Sequence, residues 1–182
     1  MISEVIRFNT GLDITFNNEI IKRLYSSDNW TICSEENESL DKDYSDTGML
    51  IPSYSDFQPE NNNSSNIGLN SIARLIGNIS LQKQTSHRFT NVNYRRFLWN
   101  YYNKSSSGKF HEDSSNKNTA SLIYYINTCD AYTIVNDIKY ENIAGTGIIF
   151  DSNTLHRGTG PIKSNKKFSL NIIFTYDMVY KL

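Results

Sequence analysis

Thr119-Ala120-Ser121-Leu122-Ile123-Tyr124-Tyr125-Ile126-Asn127 is an apolar run rich in β-branched and aromatic residues, bounded by polar sequence on both sides. It is short for a buried helix and has the composition of a strand. Outward from it the same grammar recurs. Tyr94 to Tyr102, Lys109 to Asp113, Ala131 to Val135, Gly145 to Asp151 and Lys167 to Tyr176 also read as strands, with Lys104-Ser105-Ser106-Ser107-Gly108 and Asn136-Asp137 as turns. Short strands at this spacing predict a sandwich or barrel over residues 88–182.

Residues 1–87 have a different pattern and predict a helical buttress with loops. Phe16, Ile20, Ile21, Leu24 and Tyr25 line one face of a helix over about 16–27, with Asp13 or Asn17 as cap. Ile67, Ile72, Leu75, Ile76 and Ile79 predict a second helix over about 66–84, with Leu75 on its buried face. Met49-Leu50-Ile51 reads as a short strand stopped by Pro52. The acidic stretch from Glu35 to Asp46 and the polar run Asn61 to Ser65 read as loops free to close over a substrate.

The chain has 182 residues, enough for one domain, 1–182, with a sizeable core. Its 18 Lys and Arg against 19 Asp and Glu give a net charge of −1, so no overall positive field exists to hold a nucleic acid. No apolar run approaches the ~20 residues of a membrane helix, and Met1-Ile2-Ser3-Glu4 does not open a secretory signal. The expectation is a soluble, cytoplasmic protein. Cys33 and Cys129 are too few for a disulfide framework and read as packing thiols.

Residues two apart on a strand share a face, so in Phe110-His111-Glu112-Asp113 the side chains of His111 and Asp113 project together while Glu112 points away. A folded-over antiparallel sheet can bring His156 back beside them. Two imidazoles and a carboxylate on one side of an ion form the facial set of non-haem Fe(II) oxygenases. Beyond the turn Gly158-Thr159-Gly160-Pro161, Lys167 and Ser169 share a strand face, and a cation with a hydroxyl turned into a barrel calls for an anion.

On His111-Glu112-Asp113, His156 and Lys167-Phe168-Ser169, in that order, the chain resembles the Fe(II)/2-oxoglutarate-dependent oxygenases. It is most similar to their small, prolyl-hydroxylase-like members from bacteria and phages. The resemblance implies a mainly β, double-stranded β-helix (jelly-roll or cupin-like) fold with the N-terminal helices packed outside one sheet. It implies Fe(II) on His111, Asp113 and His156, with 2-oxoglutarate and O2 as co-reactants. The products would be succinate, CO2 and a hydroxylated small-molecule or peptidyl substrate. Lys167 and Ser169 would take the far carboxylate of 2-oxoglutarate, with Lys166 and Lys163 as nearby alternatives. Asn100 and Tyr102, an Asn-x-Tyr ahead of the clip, would be cosubstrate ligands, although an aromatic strand packed in a core gives the same pattern at Tyr102. Arg157 is either a carboxylate ligand or a solvated turn residue, and one of Tyr124 and Tyr125 lines the pocket. The intact Asp113 argues against halogenation, and His87 has no partner at metal spacing. A nucleic-acid demethylase of the same fold and a cupin-like metal-binding domain without oxygenase activity are the competing readings.

Overall fold

The computed structural model describes residues 2–27, 31–33, 48–55, 67–84 and 86–182. Its strands are β1 (Ile6–Asn9), β2 (Thr31–Cys33), β3 (Gly48–Ser55), β4 (His87–Phe89), β5 (Asn93–Asn103), β6 (Thr119–Tyr125), β7 (Cys129–Val135), β8 (Ile138–Asn142), β9 (Thr146–Asp151), β10 (His156–Gly158), β11 (Lys166–Thr175) and β12 (Val179–Lys181). Two helices, α1 (Ile14–Tyr25) and α2 (Ile67–Lys83), complete the set. A seven-stranded sheet runs in the order β1-β9-β6-β11-β5-β3-β2, a three-stranded sheet in the order β10-β7-β8, and β12 pairs with β4. Every pairing is antiparallel. The two larger sheets form the double-stranded β-helix, with both helices on the outer side of the larger one.

β6 is buried along its whole length because both its faces are covered. Alternation sorts the side chains. Phe97 and Trp99 of β5, Leu122 and Tyr124 of β6, and Leu170, Ile172 and Phe174 of β11 join Ile20, Leu24 and Ile76 of the helices in one outer core. On the other face Ile123, Tyr125, Ile148 and Phe150 meet Val135 and Tyr140 of the smaller sheet. The inward positions Arg96, Leu98, Asn100 and Tyr102 of β5 and Lys167, Ser169 and Asn171 of β11 line the cavity, and all but Leu98 are polar.

Asp13 caps α1 by accepting the Thr15 N–H at 2.6 Å. α2 buries Leu69, Ala73, Ile76, Gly77 and Ser80. A Cβ at Gly77 would lie 2.7 Å from the Tyr94 hydroxyl, so glycine is what lets β5 approach the helix. The β7–β8 turn holds Asn136 and Asp137 at positive φ (45° and 63°), the conformation of a two-residue hairpin that Asn and Asp tolerate.

Several expectations are corrected. Residues 109–113 form no strand; His111 makes a single backbone pairing, with His156. The segment joins β5 to β6 and is held by that one bridge and by the Asp113 N–H bonding to the Ser152 carbonyl, so an alternating pattern there reflects a pinned loop. The first 87 residues are not only helices and loops, since β1, β2 and β3 belong to the large sheet. Pro52 does not stop β3. It sits at a register shift, beyond the reach of β2, where the ladder does not need its missing N–H. Leu75 is 46% exposed, one position away from the buried Ile76. Strands β4, β8, β10 and β12 were too short or too polar to read. The predicted loops 35–46 and 61–65 lie outside the described residues. Among the described residues no helix is long and apolar enough to cross a membrane.

Candidate metal centre and its cavity

His111 and His156 each donate a backbone N–H to the other's carbonyl at 3.0 Å, which sets their rings side by side with centroids 4.4 Å apart. Each ring is then oriented in the same way. Nδ1 of His111 lies 2.9 Å from the Lys109 carbonyl, and Nδ1 of His156 lies 2.9 Å from the Thr154 carbonyl. A carbonyl only accepts, so both protons reside on Nδ1 and both Nε2 lone pairs are free to face a metal.

The Asp113 N–H is held by the Ser152 carbonyl, which turns the carboxylate toward the two Nε2 atoms. His111 Nε2 is 3.8 Å from Oδ1 and His156 Nε2 is 3.4 Å from Oδ2. The three ligand atoms lie within 4.8 Å of one another. Ligands at ~2.1 Å from one ion and at right angles sit about 3 Å apart, so this donor set fits a divalent ion with little movement.

Asp113 has a side chain only 1% exposed and would be costly to keep ionised without partners. Arg96 Nη2 donates to Oδ1 at 2.6 Å, while Ser121 Oγ at 2.7 Å and Asn171 Nδ2 at 3.0 Å donate to Oδ2. Burial alone would raise its carboxyl, but the contact with His156 and the positive charge of Arg96 outweigh this and hold it well below the usual carboxylate range.

These groups border a cavity of about 420 Å³ lined by His111, Asp113, His156, Lys167, Ser169, Asn100 and Tyr102 among others. Lys167 pairs with Tyr102, and Ser169 with Asn100, across the β11–β5 ladder, so the four form two adjacent rows of one floor. Lys167 is 1% exposed. Its ammonium donates to the Tyr132 carbonyl at 3.0 Å and lies 5.1 Å from the Tyr102 ring. Among the described residues no carboxylate forms an ion pair with it, and burial pushes its pKa down to about 8. A Cβ at Gly158 would fall 2.8 Å from the Tyr102 hydroxyl, so this glycine makes room for the Tyr102 ring.

Of the lysine alternatives, Lys166 points to the helix side, with its ammonium 4.4 Å from the Tyr25 ring, and Lys163 lies on an exposed loop whose N–H bonds to Asp130. Arg157 does not line the cavity. Being next to His156 on β10, it faces the other way and lays its guanidinium 4.5 Å from the Phe110 ring. Tyr125 faces the Lys167 side, 6.0 Å from the ammonium, whereas Tyr124 points to α1 and donates to Asn17 at 2.6 Å. His87 stands away from the centre, against Ser86 and Glu4. Sequence reasoning missed Arg96, Ser121 and Asn171. The signal was parity: Arg96 shares a face with Asn100 and Tyr102, and Asn171 with Lys167 and Ser169.

No family model and no curated protein matches this sequence. Solved structures do. A prolyl hydroxylase from Trichoplax adhaerens, in complex with a hypoxia inducible factor oxygen degradation domain peptide fragment, superposes with a TM-score of 0.59 at 15% identity, covering 94% of this chain and 83% of its own. A viral collagen prolyl hydroxylase from Paramecium Bursaria Chlorella virus-1, in its 2-oxoglutarate complex, gives 0.57 at 15% identity, with 94% and 96% covered. The non-heme α-ketoglutarate-dependent epimerase SnoN of nogalamycin biosynthesis gives 0.63 at 9% identity, with 96% and 79% covered. At such identities the likeness shows a shared fold, the double-stranded β-helix of the 2-oxoglutarate-dependent oxygenases.

Proposed function

We propose that this protein is an Fe(II)- and 2-oxoglutarate-dependent dioxygenase that hydroxylates a C–H bond of a small-molecule or peptidyl substrate. The observation that carries the reading is one cavity with a two-histidine, one-carboxylate donor set at one end and, at the other, a buried lysine that lacks an ionic partner among the described residues. An ion alone would leave Lys167 unexplained; a dicarboxylate with one end on the ion and the other on Lys167 accounts for both. That structures with this fold include prolyl hydroxylases and an α-ketoglutarate-dependent epimerase supports the cosubstrate more than any one reaction.

His111, Asp113 and His156 would hold the ion, which with bound 2-oxoglutarate supplies the chemistry of O2 reduction, releasing succinate and CO2 and oxidising the substrate. The chain's own contributions are positional. Carbonyls of Lys109 and Thr154 fix the imidazole tautomers, and Arg96, Ser121 and Asn171 keep Asp113 ionised and aimed. Lys167 and Ser169 hold the far carboxylate, Asn100 and Tyr102 flank the cosubstrate, and Leu98 and Ile123 keep water from the cavity floor. A mass-spectrometric screen of amino acids, peptides and small acids should find a substrate that gains one oxygen atom only when Fe(II) and 2-oxoglutarate are both present. Oxygen gain that does not depend on 2-oxoglutarate would refute the proposal.

A further inference from the structure

Arg96 enters the cavity from β5 beyond Leu98, at the end opposite Lys167. One of its nitrogens is engaged by Asp113, its Nε has no hydrogen-bond acceptor among the described residues, and its side chain is 25% exposed. The following inference rests on the oxygenase reading, because it comes from counting charge in the loaded site. The two positive charges of the ion are matched by Asp113 and by the carboxylate of 2-oxoglutarate that binds it. The ammonium of Lys167 is matched by the other carboxylate. Lys109 and Glu112 line the same cavity with opposite charges and leave the sum unchanged. Among the described residues that line the cavity Arg96 remains, because the single charge of Asp113 cannot neutralise both a divalent ion and a guanidinium.

A half-buried cation that must share its one carboxylate with a divalent ion is under-neutralised, and a planar guanidinium with donors to spare is suited to a second carboxylate. We propose that Arg96 receives a carboxylate of the substrate, which makes the substrate a small carboxylic acid whose apolar part lies against Leu98, Ile123 and Phe110. All three line the same cavity as Arg96. If Arg96 only steadied Asp113, the site would be indifferent to whether a ligand carries an acid or an amide, and this is what an experiment can separate.

The wild-type protein is loaded with Mn(II) and N-oxalylglycine, an unreactive analogue of 2-oxoglutarate, and the loading is followed by titration calorimetry. Failure at this step would remove the oxygenase reading and this inference with it. The loaded protein is then titrated with propionate, L-valine and L-proline and with the corresponding amides. At least one acid should bind about tenfold or more tightly than its amide, the scale of a charge-assisted hydrogen bond. In Arg96→Gln that preference should vanish, and in Arg96→Lys, which keeps the charge but loses the fork, it should fall. No binding by any of the acids, equal binding of acids and amides, or a preference unchanged in Arg96→Gln would overturn the proposal. Should Arg96→Gln fail to fold on thermal melting, affinities identical in wild type and Arg96→Lys would overturn it equally.

Discussion

Lys167 is fully buried, yet among the described residues its ammonium has only the Tyr132 carbonyl as a hydrogen-bond acceptor, so its proton is held less tightly than in the unfolded chain. The folded protein releases that proton near pH 8, the unfolded chain only near 10.5. Between those values the unfolded state binds more protons, so the stability of the unliganded protein should rise with pH across that window; below it, burying the charge costs about 3 kcal/mol. An anion beside the ammonium offsets that cost. Affinity for 2-oxoglutarate should therefore be highest below pH 8 and fall about tenfold per unit above it. Lys167→Ala should raise the KM for 2-oxoglutarate about tenfold to a hundredfold with little change in metal affinity. A flat pH profile together with an unchanged KM would move the cosubstrate away from Lys167. At this scale the sequence was legible where alternation applied: Lys167, Ser169, Asn100 and Tyr102 reach one cavity as their strand parities indicated, whereas His111 and Asp113 reach it from a loop, not from the expected strand. Arg157 fails by the same rule, since adjacency to His156 on a strand means the opposite face. Ser121 and the tautomer-fixing carbonyls were hidden, because which residues surround a carboxylate depends on strand order, not on spacing along the chain.

The elements divide by the length of their pattern. α1, α2, β5, β6, β7, β9 and β11 follow long periodic runs and were expected within a few residues of where they lie. β4, β10 and β12 have three residues each and exist through pairing alone, and β8 presents mostly exposed side chains. The segment 109–113 failed in the opposite direction, since alternation without a neighbouring strand does not make a strand. The helical periodicity of α2 located the helix but misplaced its buried stripe by one position, a rotation of about 100°. The consequence is measurable. Leu75→Asp should change stability by less than about 0.5 kcal/mol, whereas Ile76→Asp, at a fully buried site, should destabilise by about 3 kcal/mol or more. Denaturant unfolding of the two variants in parallel checks this, and comparable losses in both would mean that the helix is rotated from the packing described.

For the molecule as a whole, the sheet does not respect the change of sequence texture near residue 87. β1 pairs with β9 at one edge and β3 with β5 toward the other, and β12 returns to β4 at the far end of the chain. Residues before 88 therefore cover the outer core and complete the large sheet on both sides. A fragment of residues 88–182 should be insoluble or lack cooperative unfolding in calorimetry, because it would expose Phe97, Trp99, Leu122 and Leu170. A soluble fragment with a sharp transition would show the first 87 residues to be an accessory layer. The fold class was legible from the strand texture of residues 88–182, and Met49 to Ile51 already read as a strand, but the place of β1 to β3 in the large sheet was not legible, since a short strand gains its meaning from its partners, which for β1 lie well over a hundred residues away.

The most direct measurement is succinate released from 2-oxoglutarate when the purified protein is given Fe(II) and air, comparing the wild type with His111→Ala. The imidazole of His111 is half exposed and among the described residues its side chain hydrogen-bonds only to the Lys109 carbonyl, so its removal should leave the fold and melting temperature nearly unchanged. The wild type should release succinate in an Fe(II)-dependent manner and His111→Ala should not rise above the metal-free background. Equal succinate release by the two proteins would contradict the assignment of the metal centre.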